Sequence, residues 1–263
     1  MTLTGNILDR IVEKTRESLL QRIKARPLAE VQSLAFKSGL PRDFAGAIRK
    51  PGINVIAEIK RASPSKGWLN ESLDVGKTAL AYEAGGASAL SVLTEAAFFH
   101  GSFSDLDHAR SAADIPVLCK DFILTPYQVF EARMHKADAV LLIVALLEEG
   151  ALRELIEIAR SLNMVPLVET HDENEVRKAV ACGARVVGIN NRNLTDFSVD
   201  LNTTVRLRPG IPAGKIVVSE SGIRTREDVN VLEKAGVNAI LVGEALVTSS
   251  DPASEIRKLR VSP

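Results

Sequence analysis

Glu83-Ala-Gly-Gly-Ala-Ser-Ala-Leu-Ser-Val92 joins the end of a helix to the start of a strand. The same transition returns in Lys136-Ala-Asp-Ala-Val-Leu-Leu142, Ala181-Cys-Gly-Ala-Arg-Val-Val-Gly188 and Lys234-Ala-Gly-Val-Asn-Ala-Ile-Leu-Val242. In three of the four, a glycine stands where a helix C-terminus needs a left-handed residue. The apolar, often β-branched residues that follow suit a strand buried on both faces, as in a parallel sheet. Amphipathic stretches lie between these transitions. Leu152, Leu155, Ile156 and Ala159 recur at helical spacing, as do Val176, Ala179 and Val180.

Extended along the chain, the pattern predicts strands over 53–59, 88–93, 115–119, 138–143, 165–168, 186–190, 216–219 and 239–242. Each is followed by room for a helix. Eight βα units with no break in composition predict an α/β fold, a single (β/α)8 TIM barrel. The length of 263 residues agrees, since such barrels run to about 250. A doubly wound open sheet is the alternative, because spacing alone does not prove closure. Ile7, Leu8, Ile11, Val12, Leu19, Leu20 and Ile23 also recur near helical spacing. Residues 1–48 are therefore expected to form an N-terminal helical extension covering part of one barrel end. Residues 49–263 would form the barrel, and the two together one domain.

The first strand carries the chemistry most openly: Ile53-Asn-Val-Ile-Ala-Glu-Ile-Lys-Arg-Ala-Ser-Pro-Ser-Lys-Gly67. Side chains two apart on a strand share a face. Glu58 and Lys60 thus project together from its C-terminal end, with Ser63 just beyond. Taken alone, the segment reads equally as an active site or as an ion pair closing the barrel mouth. The other strand ends weigh the balance. They offer Thr94 and Glu95; Lys120 and Asp121; Glu169; Asn190 and Arg192; Glu220, Ser221 and Gly222; and Gly243 and Glu244. Two lysines and several carboxylates converging on one mouth predict a catalytic pocket, because barrel chemistry sits at the C-terminal strand ends. The glycine-containing turns Ser219-Glu-Ser-Gly-Ile223 and Gly243-Glu-Ala-Leu246 follow the last two strands, where barrels commonly hold a phosphate.

Composition excludes several classes. Lysine plus arginine and aspartate plus glutamate balance at 33 each, which argues against a nucleic-acid or membrane-surface protein. The longest apolar run, 139–147, is too short to span a bilayer, which takes about 20 residues. The charged N-terminus has no signal-peptide core. Two cysteines fit a reducing compartment, so a cytoplasmic protein is expected. His100, His108, His135 and His171 lack metal-ligand spacing and read as surface or capping residues. Cys119 should face away from the site. With no Rossmann fingerprint and no P-loop, no metal and no cofactor are expected. A monomer or weak homo-oligomer is the expected state.

The segment Ile56-Ala-Glu-Ile-Lys-Arg-Ala-Ser-Pro-Ser-Lys-Gly67 resembles the first strand and loop of the indole-3-glycerol-phosphate synthases, enzymes of tryptophan biosynthesis. Further matches follow in order. They are Ser91-Val-Leu-Thr-Glu95, Phe98-Phe-His-Gly-Ser102, Pro116-Val-Leu-Cys-Lys-Asp-Phe-Ile123 and Leu167-Val-Glu-Thr-His171. Then come Gly188-Ile-Asn-Asn-Arg-Asn-Leu194, Val218-Ser-Glu-Ser-Gly-Ile223 and Leu241-Val-Gly-Glu-Ala-Leu246. The opening Asn6-Ile-Leu-Asp-Arg-Ile-Val12 resembles that family's N-terminal helix.

The resemblance implies a phosphorylated small-molecule substrate, 1-(2-carboxyphenylamino)-1-deoxyribulose 5-phosphate. It implies ring closure with loss of CO2 and water. Lys120 matches the family's general acid and Glu169 the carboxylate used as base or proton relay. Lys60 matches a second essential lysine. Glu58 and Glu220 match carboxylates that orient the lysines or steady positive charge, and Asn190 a hydrogen-bonding residue near the reacting hydroxyls. Arg192 lies close by. Ser63, Ser221, Gly222, Gly243 and Glu244 match the phosphate side, while Phe99, Phe122 and Leu194 would wall the aromatic ring. Ala245 and Asn191 depart from or vary within the pattern. Pro263 follows the final helix closely, so a monofunctional enzyme is expected. Two rival readings stand beside this one: another phosphosugar barrel lyase working through a lysine Schiff base, and a catalytically silent barrel that binds a phosphometabolite.

Overall fold

In a computed structural model describing residues 7–194 and 196–260, eight parallel strands close on themselves. They are β1 (Asn54–Ile59), β2 (Ala89–Leu93), β3 (Val117–Lys120), β4 (Ala139–Ile143), β5 (Val165–Thr170), β6 (Val186–Asn190), β7 (Ile216–Glu220) and β8 (Ala239–Val242). The ring closes where β1 pairs with β8 on one side, Asn54 against Ala239, and with β2 on the other, Ile56 against Ala89. Closure rules out the open sheet. The expected extension begins before the described residues, which exclude 1–6 and so Asn6 of its opening motif.

Strand alternation sorts the apolar residues into two cores. Ile56, Leu118, Leu141, Leu167, Val218 and Leu241 point inward and fill the barrel. Val55, Ala57, Val92, Val140, Val187 and Ile240 point outward under the helices. Three strands run further than their apolar patterns, so that Lys120, Glu169 and Glu220 lie within the ladder. A charged side chain does not end a strand whose backbone bonds continue, provided the charge is paired. β3 starts later than expected, at Val117, because Pro116 has no N–H to give the ladder.

Helices follow the strands. After three N-terminal helices, α1 (Ile7–Ala25), α2 (Leu28–Lys37) and α3 (Phe44–Ala47), come α4 (Val75–Ala84), α5 (Phe103–Ala112), α6 (Pro126–Met134) and α7 (Glu149–Ser161). They are joined by α8 (Glu173–Ala181), α9 (Asn202–Leu207), α10 (Arg226–Lys234), α11 (Glu244–Val247) and α12 (Pro252–Leu259). Many open on a side-chain cap. Asp74 accepts from Lys77 N–H, Ser102 from Asp105 N–H and Asp172 from Glu175 N–H.

The N-terminal segment touches both barrel ends, where the sequence pattern foresaw cover for one. Ile7, Leu8 and Ile11 of α1 reach the C-terminal mouth. The far half of α1 docks on α6, where Arg22 pairs with Glu131 and the Tyr127 hydroxyl donates to the Arg22 and Arg26 carbonyls. At the opposite end, Phe44 and Ile48 are fully buried among Ile56, Ala89, Ala139, Val186, Ile216 and Ala239 and plug the floor. Asn54 fastens this plug by donating to the carbonyls of Ile48 and Lys50 at 3.2 and 2.9 Å.

Gly86, Gly183 and Gly236 all take positive φ after their helices, as their spacing predicts. The fourth transition puts Lys136 in that conformation instead, at φ 61°, with an exposed side chain. A side chain there costs about 1–2 kcal/mol in backbone strain, partly offset by the entropy glycine loses on folding. Lys136→Gly should therefore stabilise the protein by about 0.5–1 kcal/mol. Urea unfolding checks this: the midpoint should rise with an unchanged slope, and a lower midpoint would contradict the strain argument.

Candidate active site

The C-terminal strand ends surround a cavity of about 510 Å3, within the range that takes a small ligand. Its lining includes Lys60, Lys120, Glu58, Glu169, Glu220 and Asn190. Ser63, Arg192, Ser221, Gly222, Gly243 and Glu244 also line it, as do Phe99, Phe122 and Leu194. The fold thus gathers these residues around one space, while Thr94 and Glu95 at the end of β2 stay outside its lining, Glu95 accepting the N–H groups of Ala97, Phe98 and Phe99.

Lys120, the last residue of β3, stands at the centre. Its Nζ lies 3.2 Å from Glu220 Oε2, 3.7 Å from Glu58 Oε2 and 3.7 Å from Glu169 Oε2. Burial alone would lower its pKa, but Glu220, Glu58 and Glu169 outweigh burial and the net shift is upward. Lys120 is held as an ammonium. Lys60 Nζ meets the other oxygen of Glu58 at 2.7 Å. Burial would raise Glu58, but the two lysines keep it below the ordinary glutamate value.

Two glycines make room for these carboxylates. A Cβ on Gly188 would stand 2.4 Å from Glu220 Oε1, and one on Gly243 would stand 2.5 Å from Glu58 Oε1. Gly188 on β6 and Gly243 just after β8 thus leave open the space these two carboxylates occupy.

One polar side chain at the mouth escaped the sequence reading. His171 follows β5 and is mostly buried, not a surface residue. Its Nδ1 meets Glu175 Oε2 at 2.9 Å, and its Nε2 lies 3.3 Å from Glu169 Oε1. The second contact is an ion-pair distance whose angle falls short of a hydrogen bond. The available signal was its position two residues after Glu169, at the same strand end.

The turns after β7 and β8 are built for close approach. Ser221 and Gly222 take successive positive φ values of 69° and 82°. Asn191, which the sequence reading treated as variable, fastens this turn. Its Nδ2 donates to the Ser221 carbonyl and to Ser219 Oγ, both at 3.0 Å. Its Oδ1 accepts from the Thr204 hydroxyl at 2.7 Å and from the Thr204 N–H at 3.1 Å. Across the mouth, Ala62–Ser63 and Gly67–Trp68 form a short antiparallel hairpin. Lys66 of that hairpin reaches Glu244 at 2.6 Å.

Another part of the wall is apolar. The Phe99 and Phe122 rings lie 6.0 Å apart. Ile7, Leu8 and Ile11 of α1 join Leu194, Phe197 and Val199 above the charged floor. Helical spacing announced α1, but nothing in its own sequence said which end of the barrel it would roof. Cys119 lies in the outer core. Among the described residues no cluster of His, Cys, Asp and Glu could hold a metal ion, and no helix is long and apolar enough to cross a membrane.

A closed parallel barrel whose C-terminal mouth collects buried ammonium and carboxylate groups is an enzyme of the TIM-barrel class. Comparison narrows the class: a profile of the family described as indole-3-glycerol phosphate synthase matches residues 8–259. The chain belongs to the indole-3-glycerol phosphate synthase family, carboxy-lyases of tryptophan biosynthesis. An indole-3-glycerol phosphate synthase of Mycolicibacterium gilvum is 48% identical over 256 residues, covering 97% of this chain and 94% of its own. Indole-3-glycerol phosphate synthase 1 of Streptomyces coelicolor is 48% identical over 254 residues, with the same coverage of 97% and 94%. Among solved structures, a thiamine phosphate pyrophosphorylase from Pyrococcus furiosus superposes with a TM-score of 0.61 at 19% identity. That match covers 81% of this chain and 95% of the other. A mutant tryptophan synthase alpha-subunit from the same organism gives 0.59 at 15% identity, covering 78% and 97%. These two share the fold.

The close approach at Gly188 is directly testable. Gly188→Ala should displace the Glu220 carboxylate and lower kcat by about tenfold or more, for about 1–3 kcal/mol of overpacking. Steady-state rates and thermal unfolding on the same sample check it. A wild-type kcat would mean that Glu220 does not need that space.

Proposed function

We propose that Lys120 and Glu169 carry the main proton transfers of this enzyme, with Lys60 as the second ammonium at the substrate. The reaction sets the requirement. In the substrate, 1-(2-carboxyphenylamino)-1-deoxyribulose 5-phosphate, the ring carbon bearing the carboxylate attacks the ketone. The carbonyl oxygen takes a proton. CO2 then leaves, and its electron pair restores the aromatic ring and neutralises the cationic nitrogen. The hydroxyl departs as water after taking a second proton. One C–H proton is lost to a base, and the indole forms. Two protons are given and one is taken, so each turnover draws one proton from solvent. The chemistry is redox-neutral and needs no cofactor.

The supporting observation is the ammonium of Lys120 among Glu58, Glu169 and Glu220, at 3.2–3.7 Å. An acid held protonated beside a buried carboxylate is the pairing that general acid–base catalysis requires. Glu58 and Glu220 would steady the cationic nitrogen, and Asn190 would bind the reacting hydroxyls with Arg192 near it. The turns of Ser221, Gly222, Gly243 and Glu244, with Ser63, would take the phosphate. Phe99, Phe122 and Leu194 would hold the aromatic ring under the α1 roof.

The same observation disfavours a Schiff base at Lys120. A lysine attacks a carbonyl only as the neutral amine, and the three carboxylates keep Lys120 charged. Against a silent barrel stands the presence of every charged group the reaction needs. We read residues 1–48 as an extension and 49–263 as the barrel, one domain overall, since α1 and α3 bury side chains at opposite barrel ends. Two cysteines, both buried and unpaired, support a cytoplasmic location. We read the enzyme as a monomer or weak homo-oligomer.

Lys120→Ala should lower kcat by about 10² or more while leaving substrate affinity largely intact, since it acts mainly in the transition state. Indole fluorescence with chelator present follows turnover, and a variant keeping most of its kcat would refute the acid assignment. Glu169→Gln should likewise cost on the order of 10² in kcat. An undiminished rate in that variant would remove Glu169 from the mechanism.

A further inference from the structure

Of the three buried carboxyls that approach the Lys120 ammonium, Glu169 and Glu220 are not equivalent. Glu169 Oε2 lies 3.7 Å and Glu220 Oε2 3.2 Å from Lys120 Nζ. What stands behind each one differs. The second oxygen of Glu220 is buried against Gly188 and has no hydrogen-bond partner among the described residues. The second oxygen of Glu169 faces His171 Nε2 at 3.3 Å. The opposite ring nitrogen faces Glu175 Oε2 at 2.9 Å, and that same oxygen accepts the His171 backbone N–H at 2.7 Å. Glu175 is itself fixed, because its N–H donates to the cap Asp172 at 2.8 Å. An imidazole with a carboxylate at each nitrogen can serve both only as the imidazolium.

We propose that His171 is a positioning residue for the reaction. Its imidazolium, gripped by Glu175 at the start of α8, holds Glu169 as the ionised carboxylate turned onto Lys120. It thereby decides which of the two buried carboxyls takes the proton. This rests on the assignment of Glu169 as the base. The sequence reading passed His171 over, and its effect would be exerted through Glu169 and not on substrate.

The electrostatics agree with the geometry. Burial would raise both carboxyls and Lys120 lowers both. Glu169, which His171 lowers further and Asn190 also lowers, ends below the ordinary glutamate value, while Glu220, raised by burial and by Glu169 and Glu58, ends above it. Paired titratable groups whose surroundings push them apart mark out acid and base roles. Burial would lower His171, but Glu169 and Glu175 outweigh it and raise it to about 10. The charged groups facing His171 are Glu169 on β5 and Glu175 on α8. Those near Glu169 are Lys120 on β3, Glu58 on β1, Glu220 on β7 and His171.

The sign follows. Turnover needs Glu169 ionised, so the acidic limb of kcat tracks its ionisation. Removing the imidazolium removes an attraction that favours the anion, so the limb moves to higher pH.

The experiment measures kcat and KM against pH for the wild type, His171→Ala, Glu175→Gln and Glu169→Gln. His171→Ala should raise the acidic limb of kcat by about one unit, so that kcat falls about tenfold on that limb and little at neutral pH, with KM changed less than about threefold. The deficit should shrink as pH rises. Glu175→Gln should move the limb in the same direction by less, and it carries the test if His171→Ala does not fold. Nitrogen NMR of the wild-type ring at about pH 8 should find both nitrogens protonated. A pH-independent loss of kcat, an unmoved acidic limb or a neutral ring would overturn the proposal. If Glu169→Gln is inactive while the limb stays put, this inference alone fails. If Glu169→Gln keeps its rate, the base assignment fails with it.

Discussion

The structure turns on burying an ammonium. Lys120 sits inside a barrel mouth where water cannot fully solvate it, and an unpaired charge there would be prohibitive. Three carboxylates answer it, and each needs its own support. Glu58 is shared with Lys60, Glu169 with His171, and Glu220 lies over the bare backbone of Gly188. Glycines at 188 and 243, the C-terminal ends of β3, β5 and β7, and the side-chain cap of α8 all serve this cluster. Replacing one member with an apolar residue would leave a neighbour buried and uncompensated, so the group behaves as a unit.

The charged cluster and the apolar roof divide the work between them. Phe99, Phe122 and the α1 side chains offer a flat, weakly polar ligand nothing but surface to pack against. Such a lining also excludes water, and this strengthens every interaction in the floor. The two ends of the proposed substrate, one aromatic and one phosphorylated, would then meet surfaces of different character in a single cavity.

Much of this was legible before any coordinates. Buried parallel strands have a plain signature, and eight of them left little choice of topology. Once the barrel was assumed, the strand ends named Lys120, Glu169 and Glu220, since each follows an apolar run. Other features depend on how side chains are turned toward one another once the fold has closed. His171 looked unremarkable because its partners are a carboxylate two residues back and another on the next helix. Asn191 looked variable because Thr204 and Ser219 give it its partners. The role of α1 was hidden for a different reason: an amphipathic helix shows that it must dock, not where. Lys136 escaped because tertiary structure can impose a left-handed residue that propensity would refuse.

The floor plug has a consequence for how the chain acquires its shape. Phe44 and Ile48 leave the ribosome early, yet the residues that enclose them extend to Ala239 on the last strand. Until β8 is synthesised and pairs with β1, these two side chains have no complete socket. The plug is made before any barrel strand and seated last. Its contacts span nearly the whole chain, and such non-local contacts are slow to form. During synthesis the nascent protein therefore carries an exposed aromatic side chain close to its N-terminus, which is the kind of surface that chaperones bind and that invites association between unfinished copies.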